Sequence, residues 1–275
     1  MNIIAIIGCR NEEPYLANCL RHLLDNDISF AVIDSESTDG TSAILSRPDL
    51  KRGLAAYQTI PFDGTFRMQP ILRAKEVMAQ QLEADWIIHL DADEIMHSSR
   101  DGENLHDAIA RLSAEGANVV NFDEFVFLPV DHDYCADIAG HQQIRNYYFF
   151  EPHPQRLMRA WRKDAGLSMV ATGGHRLKGA EVRLAPEALI LRHYIFLSQE
   201  HAFRKYSERA FDEYEVHQLG WHGNRYKQPL ERFRFPPVHL LKRLHPPESR
   251  TLSKAQPKKR HYWQWEPAQA EAARL

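Results

Sequence analysis

Two aspartates separated by one residue, Asp91 and Asp93, with Glu94 directly after them, are the strongest chemical signal in the sequence. Carboxylates two positions apart at the end of a strand can turn toward one divalent cation. Mg2+ or Mn2+ favours such hard oxygen ligands and fills its remaining positions with water and substrate phosphate oxygens. A metal held there would offset negative charge on a diphosphate, both in the ground state and as it leaves. The plain alternative for so short a motif is a solvated acidic turn. A third acid, Asp34, closes the run Ala-Val-Ile-Asp and precedes Ser35–Thr41, which is rich in turn and cap residues. A carboxylate in that position can accept hydrogen bonds from a ribose or a base, or can serve only to start the next helix.

These acids need rigid elements behind them, and the pattern supplies them. Ile3–Ile7 is an unbroken apolar run ended by Gly8, as expected of a strand buried on both faces. Pro14 suits a first helical turn, and Leu16, Leu20, Leu23 and Leu24 recur at helical spacing up to Asp25. Phe30–Ile33 is a second strand, a short helix runs through Ile44 and Leu45, and Ile71–Leu82 is helical again. Trp86–Leu90 is the third strand. Alternation of this kind predicts an α/β fold with a mostly parallel sheet and right-handed crossovers. In such sheets ligands lie beyond the carboxyl ends of the strands, where Cys9–Glu13, Asp34–Gly40 and Asp91–Glu94 all fall.

Three segments, Ile6–Glu13, Ile33–Thr41 and Trp86–Glu94, resemble the family-2 glycosyltransferases of GT-A fold in order and spacing, over about the first 95 residues. The resemblance implies a Rossmann-like nucleotide-diphospho-sugar transferase, a nucleotide-sugar donor, a divalent metal (Mg2+ or Mn2+) on the Asp-x-Asp pair and inversion at the anomeric carbon. Carried over position by position, it implies that Arg10, Asn11, Glu12 and Asp34 line the nucleotide pocket. Arg73 approaches the nucleotide or its phosphates. Asp91 and Asp93 hold the metal and the ribose-diphosphate, and His193 completes the metal shell. One departure stands out: Ser35 follows Asp34 where the family often has a second acid, which leaves nucleotide identity open.

An inverting transfer needs a base for the acceptor hydroxyl. Asp123 and Glu124, flanked by Phe122 and Phe125, are the best-placed acids downstream, and strand alternation turns only one of them to a given side. Their alternative role is that of solvent-facing acids in a strand turn. His175 and Arg176 sit in the glycine loop Thr172–Arg176, suited to a lid or an acceptor contact; for His175, and for His193, a hydrogen-bonded structural histidine is the plainer reading. The aromatics Tyr147, Tyr148, Trp161, Trp221 and Trp263 can stack on sugars but are assigned mainly to core packing.

Further along, Val119–Val130 reads as strands or a hairpin, Ala188–Phe196 as a strand, and Ser198 as the cap of a long helix through Tyr214. The expected division is a catalytic domain over residues 1–220, with a donor half to about 95 and an acceptor half over 96–220, followed by a basic, Pro-rich extension over 221–275. Between Arg225 and Arg260 lie 11 Lys and Arg against two acids, a balance of +9, so the rest carries −12 against the total of −3. That segment is a solvated tail, a docking strip for the acidic body, or a contact for anionic lipid headgroups, where each basic residue contributes roughly 1 kcal/mol. No recognition module argues for nucleic acid.

With 275 residues, 44% apolar and 26% charged, the composition is that of an ordinary globular protein. It excludes collagen-like, disordered and disulfide-stapled classes. No apolar stretch approaches the roughly 20 residues of a membrane span, and no secretory leader is evident. Three cysteines, Cys9, Cys19 and Cys135, lack metal-ligand spacing, so a reducing, cytoplasmic setting is expected, with peripheral contact at the inner membrane face through the basic segment. The expected acceptor is a glycan, a lipid-linked sugar or another hydroxyl. The rival readings are a metal-dependent phosphohydrolase, disfavoured by Ile95 two residues past Asp93, and a non-catalytic nucleotide-sugar or glycan-binding module.

Overall fold

The computed structural model describes residues 1–130, 143–246 and 249–265, so Cys135 lies outside the described residues. The chain divides into two compact units. The first comprises residues 1–63, 68–123 and 155–191, the second 64–67, 124–154 and 192–275. The division therefore does not follow a single boundary near residue 220.

The first unit is built on a parallel sheet. Strand β1 (Ile3–Cys9) pairs in parallel with β2 (Ser29–Asp34) on one side and with β4 (Trp86–Asp91) on the other. Outside β2 lies β3 (Leu54–Thr59), also parallel. Its alternating half-exposed side chains explain why no apolar run announced it: an edge strand with one solvated face needs only every second residue apolar. On the far side of β4 the direction reverses. Strand β8 (Leu157–Arg162) pairs antiparallel with β4 and with the first half of β6 (Val119–Phe127). The single strand β6, with a register shift between Val120 and Asn121, replaces the expected strands or hairpin.

Helix α1 (Glu13–Asp25) begins with Pro14 in its first turn, where a missing N–H leaves no bond unmade, and buries Tyr15, Leu16, Cys19, Leu20 and Leu23. Two short helices, α2 (Thr41–Leu45) and α3 (Pro48–Lys51), lead to β3. Helix α4 (Met68–Gln81) buries Leu72, Met78 and Ala79, and with them a lysine, Lys75. Beyond β4 come β5 (Glu94–His97) and α5 (Leu105–Ala114), the latter capped by Asn104, whose Oδ1 accepts from the Asp107 N–H at 2.7 Å. The four-residue β5 is too short to register as a period in the sequence, and Arg159 interrupts the apolar run of β8.

The second unit holds the rest of β6, paired antiparallel with β7 (Asn146–Phe150), which in turn pairs with β10 (Lys242–Arg243). Strand β9 (Leu189–His193) ends in it. Ser198 caps α6 (Gln199–Phe203), accepting from the His201 N–H at 3.0 Å, as its sequence predicts. The long helix expected after it is broken: a π-helical turn over Arg204–Glu208 and an extended stretch precede α7 (Glu213–His217), which Asp212 caps afresh. The core is aromatic, with Tyr148, Phe150, Phe196, Tyr206, Phe211, Phe233, Tyr262 and Trp263 packed together. Trp263, 3% exposed, stacks its ring 4.4 Å from His261 and donates from Nε1 to the Asn224 carbonyl at 3.1 Å. Much of the segment expected to trail in solvent is thus fastened by Phe233, Leu244, Tyr262 and Trp263, because four large apolar side chains gain more from burial than an extended tail would retain. Among the described residues no helix is long and apolar enough to cross a membrane.

Candidate active site on the parallel sheet edge

The register of the first unit sets the spacing of its acids. Cys9 lies opposite Asp34, and Gly8 lies opposite Asp91, so both aspartates leave the sheet at the same carboxyl edge with β1 between them. Two inter-strand steps place their backbones roughly 10 Å apart.

Around Asp34 two loops lock together. Its Oδ1 accepts from the Ser37 N–H at 3.0 Å and hydroxyl at 2.6 Å, and its Oδ2 from the Tyr57 hydroxyl at 3.2 Å. Asn11, held at a positive φ of 56°, accepts on Oδ1 from the Thr38 N–H at 2.7 Å. Arg10 lays its guanidinium 3.4 Å over the Phe62 ring and donates to the Ser35 and Glu36 carbonyls at 2.6 and 2.5 Å. The Glu12 N–H donates to the Thr41 hydroxyl at 2.8 Å, and Glu13 accepts from the Gly40 N–H at 3.0 Å. Arg10, Asn11 and Glu12 thus brace the loop that Asp34 begins. Asp34 itself is buried with both oxygens engaged, one of them by a tyrosine that is 46% exposed.

The surroundings of Asp91 are more highly charged. Its side chain is 44% exposed, with Lys75 Nζ 3.6 Å from Oδ1 and Arg159 Nη2 3.5 Å from Oδ2. Both cations are buried. Lys75 also donates to the Leu90 carbonyl at 2.9 Å and meets His89 Nδ1 at 3.0 Å. Burial pulls the Lys75 ammonium down to about 8, opposed by the charge of Asp91. Burial and then the neighbouring Lys75 hold His89 well below the usual imidazole range, so it stays neutral and offers Nδ1 as an acceptor. Glu94 is a clamp: Oε1 accepts from Arg159 at 2.7 Å and Oε2 from the Asp91 N–H at 3.0 Å. Glycine at position 8 makes room for this arrangement, since a Cβ there would stand 2.7 Å from Ile71 Cγ2 and 3.0 Å from Lys75 Cε.

Asp93 is only 5% exposed, so Asp91 is the acid of the pair that faces outward. Its charge, with that of Glu94, raises the buried Cys19 thiol, after the larger effect of desolvation. Arg73 is exposed on α4, whereas Lys75, two positions on, is the basic residue that reaches Asp91. The glycine loop is fastened rather than loose. Arg159 Nη1 donates to the Gly174 carbonyl at 3.3 Å, and the His175 carbonyl accepts from the Met158 N–H at 2.9 Å. His175 Nδ1 lies 3.3 Å from the Thr172 carbonyl, and Arg176 is exposed.

In the second unit, His193 Nδ1 is 2.7 Å from Glu124 Oε1, with Glu124 buried and the histidine 16% exposed. Asp123 belongs to the first unit and is half-buried. Among the described residues no three His, Cys, Asp or Glu side chains stand together as a metal site of their own. The donors nevertheless suit a hard cation that takes most of its ligands from elsewhere: an outward carboxylate on Asp91, with Asp93 two residues behind.

Lys75, His89 and Arg159 were not singled out from the sequence. The available signal was a lysine at a core-facing position of an amphipathic helix, and a histidine and an arginine inside strands that are otherwise apolar. Such residues are seldom fully buried without a partner.

Residues 4–50 match the family model described as glycosyl transferase family 2. This strand–helix–strand segment is of family-2 glycosyltransferase type. The family-2 segment ends before β3, and Asp34, Asn11 and Glu12 lie inside it, Asp91 and Asp93 outside. No curated protein matches the chain. Among solved structures, S. aureus TarS 1–349 in complex with UDP is 14% identical over 74% of this chain and 66% of that one, with a TM-score of 0.44. The mannosyltransferase PcManGT from Pyrobaculum calidifontis, in complex with GDP-Man and Mn2+, is 16% identical over 74% and 61%, with a TM-score of 0.41. Glucosyl-3-phosphoglycerate synthase from Mycobacterium tuberculosis, in complex with Mn2+ and UDP-glucose, is 17% identical over 46% and 43%, at 0.29. The chain spans less than two thirds of the length of each of these.

Proposed function

We propose that this protein transfers a sugar from a nucleotide-diphosphate donor to a hydroxyl acceptor. The observation that carries the reading is the register that brings Asp34 and Asp91 to one parallel edge, two strands apart, with the first of them inside the family-2 segment. The nucleoside end of the donor lies over the loop that Arg10, Asn11 and Glu12 brace, with Tyr57 and Asp34 as its polar floor. Its diphosphate lies toward Asp91. Asp91 and Asp93 would hold Mg2+ or Mn2+, which when bound neutralises the diphosphate and eases its departure.

The chain's own residues do the remaining work. Lys75 and Arg159 balance the charge of Asp91 from beneath and fix its orientation, so that an outward carboxylate persists at a buried boundary. In an inverting transfer the acceptor oxygen forms its bond to the anomeric carbon as the bond to the diphosphate breaks. The acceptor proton passes to a carboxylate of the pair Asp123–Glu124. His193 acts on Glu124 by hydrogen bonding, holding one oxygen of that carboxylate in place. The acceptor belongs to the class of glycans, lipid-linked sugars and other polyols, and the reaction is placed on the cytoplasmic side.

The deciding experiment is calorimetric titration with UDP-, GDP-, CMP- and dTDP-sugars, with and without Mn2+, followed by analysis of products. A transferase binds one donor class and slowly releases nucleoside diphosphate. Asp91→Asn is expected to lower turnover by about a hundredfold to a thousandfold, the scale of removing a group that acts on the leaving charge. Release of inorganic phosphate would instead establish a phosphohydrolase, and binding without turnover a recognition module. Full activity in EDTA would remove the metal from the scheme.

A further inference from the structure

We propose that the second unit carries a docking surface for an anionic lipid bilayer, formed by the strap of residues 229–243 and the basic residues that follow it. The proposal is independent of the donor edge and does not rest on the glycosyltransferase reading.

The strap is anchored by alternate residues and presents the others. Phe233 is fully buried and its carbonyl accepts from the Tyr262 hydroxyl at 3.2 Å, Phe235 packs 5.6 Å from the Tyr262 ring, and Leu244 is buried. Beside and between these anchors the side chains of Arg232, Arg234, Val238, His239 and Arg243 are exposed. Two single-turn 3-10 helices, Leu230–Phe233 and Val238–Leu240, hold the backbone, with Arg234 donating its N–H to the Glu231 carbonyl and Leu241 to that of Val238. Lys254 and Arg260 add exposed positive charge, and Glu231 is the one exposed acid among the described residues from 225 to 260.

Charge alone would suit any polyanion. The apolar residues narrow the choice. Leu230 and Val238 are two of the few large hydrophobic side chains left open to solvent, 37% and 45% exposed, and both stand in the basic strap. Exposed apolar side chains interspersed along the strap with exposed arginines match a bilayer surface, where the headgroups meet the cations and the acyl boundary takes the apolar tips. A single-stranded nucleic acid partner would call for exposed aromatic rings to stack on bases, but Phe233, Tyr262 and Trp263 are turned into the core. The prolines at 229, 236 and 237 limit the strap's freedom, so little ordering is needed on contact.

The test is co-sedimentation of the full chain with vesicles of phosphatidylcholine alone and with phosphatidylglycerol added, at low and high salt. Binding is expected only to the anionic vesicles and is expected to fall with salt, since exposed charges are screened. Each basic residue near such a surface is worth roughly fivefold in partitioning, so Arg232→Gln with Arg234→Gln is expected to weaken binding roughly thirtyfold. Val238→Asp weakens it as well. Melting temperatures of both variants, unchanged from the parent, show that the unit remains folded. Wild-type binding by either folded variant, equal binding to neutral vesicles, or tighter binding to an oligonucleotide of matched charge would each overturn the proposal. Should a variant melt early, Lys254→Gln with Arg260→Gln, outside the strap's anchors, gives the same reading at the same expected size.

Discussion

The two units differ in what dominates their interiors. In the first, the sheet edge is underlain by buried charges, Lys75, Glu94 and Arg159, each answered by another within hydrogen-bond or ion-pair reach. In the second, a stack of rings makes the apolar core; Glu124, Arg192 and Glu215 are buried there too, while charges such as Arg232 and Arg234 stand outside. A charge beneath a surface serves to aim another charge at a ligand, since in a medium that polarises little its position is felt strongly. Rings serve to hold irregular chain together where helices are short, because each buries a large area at a cost of few rotamers.

This contrast can be broken at its strongest point by Trp263→Ala. Loss of a fully packed indole, its stacking on His261 and its bond to Asn224 is expected to lower stability by about 3–5 kcal/mol, read as a fall in the denaturant midpoint. A loss below about 1 kcal/mol would mean that the aromatic stack does not support the second unit. A finer probe is Lys75→Met, which fills similar space but leaves the Leu90 carbonyl and His89 Nδ1 without their donor and Asp91 with one cation fewer. A destabilisation of about 2 kcal/mol is expected. A gain in stability would show that the buried ammonium is a net cost, tolerated for what it does to Asp91.

The smallest effect is expected at the rim of the first unit. Arg111 binds Glu103 at 2.8 and 3.1 Å and Glu187 at 3.1 Å. Hydrogen bonding from Arg111 holds the Glu103 carboxyl below its ordinary value of 4.5. A depressed carboxyl contributes stability that is complete above pH 4.5 and is lost as pH falls through its folded value. Arg111→Ala should therefore cost about 1 kcal/mol at pH 7 and flatten the pH dependence of stability below 4.5. An unchanged acid limb in the melting profile would place the protonation elsewhere.

The strands and helices that carry the donor edge were legible in the sequence because they bury both faces or one clean stripe. Helix α1 and strand β4 fall within a residue of their expected bounds, β1 runs two residues further, through Gly8 to Cys9, and α4 begins three residues early. The first loops, with Asn11, Glu12 and Asp34, were legible for the same reason: local strand ends fix them. What stayed hidden depends on partners distant in sequence. Arg159 meets Glu94 across 65 positions and Tyr148 meets His261 across 113, and no local period encodes such pairs. The break in the helix after Phe203 was hidden too, since Tyr206, Phe211 and Val216 keep an apolar face that reads as continuous while the backbone between them changes form.

The missing side chain at Gly8 has a consequence for how the sequence can vary. Near the sheet's carboxyl edge, α4 comes so close to β1 that one added methyl at Gly8 would crowd both Ile71 and Lys75. The hollow acts as a gauge block: it fixes how deeply the amino group is seated and so how far Asp91 is drawn back. One added carbon at this half-buried position would force Ile71 or Lys75 to shift, and so disturb Asp91 from behind with the rim itself unchanged.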